Sequence, residues 1–78
     1  MTNLEKYNKA FMECLSVGED DLETLEYQSV DEWDSVGHMD LIGELEDVFD
    51  ISFETDDIVD FGSYKKGIEI IKKYDIKL

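Results

Sequence analysis

The side chains able to do chemistry in this chain are few. His38 is the sole histidine, so a nucleophilic triad would have to pair it with Ser35, three residues earlier, and a carboxylate. On a helix that spacing places the two on neighbouring positions of one side. Nothing in so short a chain supplies the oxyanion hole or cleft that a triad needs. His38 also falls at the edge of an apolar stripe, where a packed or interface histidine is the plainer reading, and the chain is expected not to be an enzyme. Cys14 lies on the apolar face of the first helical segment and reads as a structural thiol, because a reactive thiolate needs an electropositive setting. A calcium loop with its glycine at Gly37 would begin at Glu32. Its fifth position would then be Val36, and its twelfth Gly43 in place of the bidentate glutamate, which excludes that mechanism.

Ser35 is the remaining candidate. It follows Asp34, whose carboxylate is suited to accept the free N–H groups of a first helical turn. A phosphate on the Ser35 hydroxyl would sit by the partly positive end of that helix. Asp34 is then the true cap, and the plain alternative is that Ser35 is only a common first-turn residue.

The elements that would position these residues follow from apolar spacing. Leu4, Tyr7, Phe11, Cys14 and Leu15 mark one face of a first helix, which Thr2 and Glu5 open as a capping box and Val17-Gly18 closes. From Glu19 to Trp33 the pattern is irregular. Leu22, Leu25, Val30 and Trp33 are isolated anchors of a long connection that packs across the helices, with a helical turn near Asp20 to Leu25. Periodicity returns from Ser35 to Phe49, with His38, Leu41, Ile42, Leu45, Val48 and Phe49 on one face and Asp40, Glu44, Asp47 and, near the end, Asp50 opposite. Gly37 and Gly43 each cost roughly 1 kcal/mol against alanine in a helix interior and point to close contacts. Ile51-Ser52-Phe53 is extended, Thr55 caps a short helix to Phe61, and Ser63 caps a last helix with Tyr64, Ile68 and Ile71 inward. Trp33 and Phe53 are the large side chains left open to exposure. The expected fold is all-α: one domain over residues 1–78, a small antiparallel bundle of three main helices plus a short fourth.

Composition narrows the function. The 78 residues include 21 acidic and 7 basic, a formal charge of −14, with 42% hydrophobic residues to build a core. That apolar content separates the chain from disordered acidic sequences. No lysine or arginine lies between Ala10 and Tyr64, a stretch holding 18 acidic residues. Such a surface repels nucleic acid and anionic membranes and suits a protein partner with a basic surface. No apolar run is long enough to span a bilayer, and no signal-peptide pattern opens the chain. One cysteine excludes an internal disulfide. A monomeric cytoplasmic protein is expected.

Asp34-Ser35-Val36, followed by Met39, Leu41, Ile42, Leu45, Glu46 and Phe49, resembles the start of the second helix of acyl carrier proteins. The order and lengths of the expected helices extend the resemblance over most of the chain. It implies that a phosphopantetheinyl transferase attaches 4′-phosphopantetheine to Ser35, and that the arm's thiol carries acyl groups as thioesters between acyl-loading and acyl-using enzymes. It further implies that Asp34, Asp40, Glu44, Glu46 and Asp47 present carboxylates to basic docking surfaces, with Val36 and Met39 as apolar contacts beside the arm. Val36 stands where leucine is usual, Gly37-His38 is not typical of fatty-acid carriers, and the proline common after the central helix is absent. The run Glu32 to Met39 looks more like carriers of specialised pathways. The rival reading is an acidic adaptor or inhibitor that docks on a basic protein without a covalent cofactor.

Overall fold

Thr2 and Glu5 start the first helix as a reciprocal pair. The Thr2 hydroxyl accepts the Glu5 N–H at 3.1 Å, and the Glu5 carboxylate accepts the Thr2 N–H at 2.9 Å. In the computed structural model, which describes residues 1–78, this helix, α1, spans Asn3–Leu15. It closes on Ser16, which takes the left-handed conformation at φ 55°, and not on Gly18, whose φ is −87°. Leu15 is the last fully buried side chain of α1, so the chain turns as soon as its apolar face is used. A 3-10 turn, Glu19–Thr24, follows as expected within the long connection.

The central helix α2 spans Ser35–Phe49 and buries Leu41, Ile42 and Leu45. Short α3 spans Thr55–Asp60. Its cap position is Glu54, one residue before the expected Thr55, and the Tyr74 hydroxyl accepts the Glu54 N–H at 2.9 Å. The last helix, α4, spans Tyr64–Lys72, and the Ser63 hydroxyl accepts the Lys66 N–H at 3.0 Å. The molecule is a small all-α bundle. Its only ladder contact is a single antiparallel bridge between Glu26 and Ser63, where Tyr27 N–H donates to the Gly62 carbonyl and Tyr64 N–H to that of Leu25. These bonds fasten the long connection to the α3–α4 junction.

Aromatic rings fill the interior. Phe11 lies against Tyr7, Trp33, Phe61 and Tyr64 with ring centroids 4.8–6.1 Å apart, so one side chain of α1 touches rings from the connection, α4 and the segment between α3 and α4. Edge and tilted arrangements of this kind add to the apolar area they bury. The buried Tyr7 hydroxyl donates to the Tyr64 carbonyl at 2.6 Å, and burial pushes the Tyr7 phenol far up. Gly67 permits this packing: a Cβ there would fall 2.2 Å from the Tyr7 oxygen and 2.3 Å from the Phe61 ring.

The expected burial of four side chains, Trp33, Phe53, Leu4 and Ile68, is corrected. Trp33 is fully buried and Phe53 nearly so, because both join the ring cluster, Phe53 through Phe61 and Tyr74. Leu4 is exposed, sitting one turn ahead of the packed layer that begins at Tyr7. On α4, Ile70 is buried beside Ile71, while Ile68 is only half-buried.

Asp57 fastens α3 to the end of α4. Its carboxylate accepts from Lys73 Nζ at 2.6 Å and from the Tyr74 hydroxyl at 2.5 Å. These bonds hold the Asp57 carboxyl below its usual range and the Lys73 ammonium above its own. A lowered acid stabilises the fold above its unfolded pKa and loses that effect as pH falls through the folded value; a raised lysine does the reverse at high pH. Asp57→Asn is therefore expected to lower the thermal midpoint at pH 7. The deficit against the parent should shrink below about pH 4 and above about pH 10 in melts followed by circular dichroism.

Candidate functional site

The six residues from Trp33 to His38 build the first turn of α2, and four of them serve the fold. Trp33 anchors the turn to the core, its ring edge-on to Phe11 at 5.6 Å. Asp34 caps it, one carboxylate oxygen accepting the Gly37 N–H at 2.8 Å. At Gly37 the connection's own backbone lies so close that a Cβ would fall 1.9 Å from the Glu32 carbonyl oxygen. His38 bridges two elements: Nδ1 accepts the Trp33 indole N–H at 2.9 Å, and Nε2 lies 2.8 Å from the Ile58 carbonyl oxygen. With Nδ1 accepting, Nε2 carries the proton and donates to Ile58, which fixes the neutral tautomer. The Ile58 carbonyl is near the C-terminal end of α3, where the helix itself leaves acceptors free.

Ser35 and Val36 are the two residues of that turn whose side chains the fold does not use. Asp34 does the capping, which leaves the exposed Ser35 hydroxyl free of that duty. Val36 is 69% exposed, and Met39, one turn on, is 55% exposed. Val36 and Met39 thus lie open on the same helix as the Ser35 hydroxyl, one and four residues after it.

The carboxylates expected to act together on α2 are divided. Asp34, Asp40 and Asp47 are exposed. Glu44 is half-buried and turns toward α1, sharing a cleft with Lys6, Lys9, Ala10, Glu13 and Val48. Glu46 turns the other way, and its carboxylate accepts the Phe53 N–H at 2.8 Å to hold the extended stretch after α2. Asp34, Ser35, Val36, Met39, Asp40 and Asp47 thus remain as the open part of the site. Of the 18 acidic residues between Ala10 and Tyr64, Glu13 and Asp57 are the ones with a lysine within ion-pairing distance. Cys14 is half-buried; burial and the nearby Glu44, Asp40 and Glu13 push its thiol up, away from the reactive thiolate. No cluster of three metal-ligating side chains forms, and no helix is long and apolar enough to cross a membrane.

Beside this surface lies a shallow hollow of about 260 Å³, lined by Tyr27, His38, Ile58, Val59, Phe61 and Gly62. Val59 is 77% exposed. Neither Val59 nor Tyr27 belongs to a periodic run, so the sequence carries no signal that sets them apart as lining a hollow.

No known protein family, curated protein or solved structure matches the chain.

The two glycines of α2 separate contact from propensity. Gly37→Ala should displace the Glu32 carbonyl and cost about 1–3 kcal/mol in urea titrations, the usual range for overpacking. A Cβ at Gly43 meets nothing within 4 Å, so Gly43→Ala should gain about 0.5–1 kcal/mol.

Proposed function

We propose that the chain is an acyl carrier, modified on Ser35 and not itself an enzyme. The observation that carries this reading is the exposed Ser35 hydroxyl on a rigidly held first turn, flanked by exposed Val36 and Met39. It is supported by the likeness of residues 34–49 to the acyl carrier signature and by the unpaired carboxylates around the turn. The residues present fit a 4′-phosphopantetheine group. The hydroxyl is open to a transferase, and the first-turn N–H groups of α2 favour an attached phosphate. When bound, the group supplies a thiol that holds acyl cargo as a thioester.

The chain's own residues have narrower tasks. Asp34 keeps the helix end fixed, so the arm's root has a defined direction. Val36 and Met39 offer apolar contact to a transferase or to acyl-loading and acyl-using enzymes. Asp34, Asp40 and Asp47 attract basic docking surfaces, and pairing of this kind speeds encounter and fades with salt. Glu44 and Glu46 contribute charge, with Glu46 also holding Phe53. A cytoplasmic location and a monomeric state belong to the same proposal. The acidic-adaptor reading shares the charge and the exposed apolar pair but gives Ser35 no task.

Incubation with coenzyme A, Mg²⁺ and a promiscuous phosphopantetheinyl transferase tests the reading by intact mass. The Ser35 oxygen would displace 3′,5′-adenosine bisphosphate from coenzyme A, with the hydroxyl proton leaving to the transferase. The expected result is a gain of one phosphopantetheine unit, absent in a folded Ser35→Ala variant. No gain from a folded sample with several transferases would favour the adaptor.

A further inference from the structure

His38 holds three elements with one neutral ring. Its Nε2–H donates to the Ile58 carbonyl of α3, its Nδ1 accepts the indole N–H of the connection's Trp33, and its backbone belongs to α2. Trp33 is fully buried, so its N–H has this imidazole as its partner and has no water to turn to. The groups facing the ring are Trp33 and Tyr27 from the connection, Phe61 beyond α3, and the Ile58 carbonyl. The phenol of Tyr27 is the titratable one among them. Asp31 and Glu32 on the connection, Asp34 and Asp40 on α2, and Asp56 and Asp60 on α3 are exposed, while Asp57 is committed to Lys73 and Tyr74. None of the chain's ion pairs involves the imidazole.

We propose that His38 is a proton-operated latch on the seam between α2 and α3. A proton taken from solvent at Nδ1 turns the acceptor of the Trp33 N–H into a second donor. Two donors then face each other, and no neighbouring carboxylate compensates the new charge. The buried indole N–H loses its only acceptor, and a buried donor without a partner favours withdrawal of Trp33 or of the ring. Withdrawal of the ring frees the Ile58 carbonyl from α2, whereas withdrawal of Trp33 loosens the connection and leaves that bond in place; either movement opens the hollow lined by Tyr27, His38, Val59 and Phe61, one turn from Ser35. Docking of a basic partner raises the local pH felt by the ring and an acidic one lowers it, so partner charge can bias the same latch. The latch does not require Ser35 to be modified.

The test follows the His38 ring and the Trp33 indole N–H by heteronuclear NMR on the full chain between about pH 7.5 and 5.5, the range in which an imidazole is the natural titrating group. The two carboxyls with displaced titration, Glu5 and Asp57, are displaced downward, away from that window. The expected result is that Nδ1 gains its proton in step with a shift of the Trp33 indole resonance. Its exchange protection, corrected for intrinsic rate, should fall about tenfold or more. In His38→Gln, which has no ring to protonate, the protection should not change with pH across this window. An imidazole that stays neutral to pH 5.5, or charges while the indole resonance and protection hold, overturns the latch. So does an equal loss of protection in a folded His38→Gln. Should that variant not fold, the coupling of ring and indole signals in the unaltered protein decides.

Discussion

The indole of Trp33 is the interaction on which the presentation of Ser35 depends. Its ring is packed against Phe11 inside the bundle, and its N–H is given to His38 in the first turn of α2. A single side chain therefore ties the hydrophobic core to the helix end that carries the exposed hydroxyl. The residues next to it in sequence complete the joint: Asp34 closes the helix end, and Gly37 lets the Glu32 carbonyl approach to a distance no Cβ would allow. A hydroxyl raised on so constrained a turn has little freedom of position, which suits a point of attachment for a long flexible group.

Charge explains why a chain of this size leaves so much of its chemistry outside. With a formal charge of −14, the protein spends few cations on its own surface. Lys73 secures Asp57, while the pairs Lys9–Glu13 and Lys66–Glu69 are exposed links along single helices, at 3.7 and 3.8 Å. Exposed pairs of that kind contribute little to stability. Asp34, Asp40 and Asp47 thus remain available to an outside cation, at the expense of mutual repulsion that the aromatic interior has to offset. In the proposed docking, a partner that brings basic groups would relieve this repulsion and cover Val36 and Met39 in the same contact.

What could be read from the residues was local. The caps at Thr2, Asp34 and Ser63 act over three residues, and the inward face of α2 repeats at helical spacing, so both were legible. The order of helices, the turn near Asp20 and the exposed Ser35 followed from the same signals. What escaped depends on partners far along the chain. Trp33 lies in a stretch without period, and its burial comes from Phe11, 22 residues earlier. Glu46 looked like another outward carboxylate until the chain doubled back to bring the Phe53 N–H to it. Gly37 and Gly43 are alike in composition, yet only Gly37 has a neighbour that excludes a side chain. His38 was placed correctly at the edge of the apolar stripe, but its two bonds join residues 5 and 20 positions away.

The central claim is that Ser35, alone among the five serines, is the attachment point. Ser63 caps α4 and the Ser29 hydroxyl is bonded to the Glu26 backbone, which leaves Ser16 and Ser52 as the competing exposed hydroxyls. Fragment-ion mass spectrometry after loading from an acyl-coenzyme A locates the group directly. The account predicts one acyl-phosphopantetheine per chain, on Ser35, with the other four serines unmodified. A chain that stays unmodified, or one that carries the group on another serine, would contradict it.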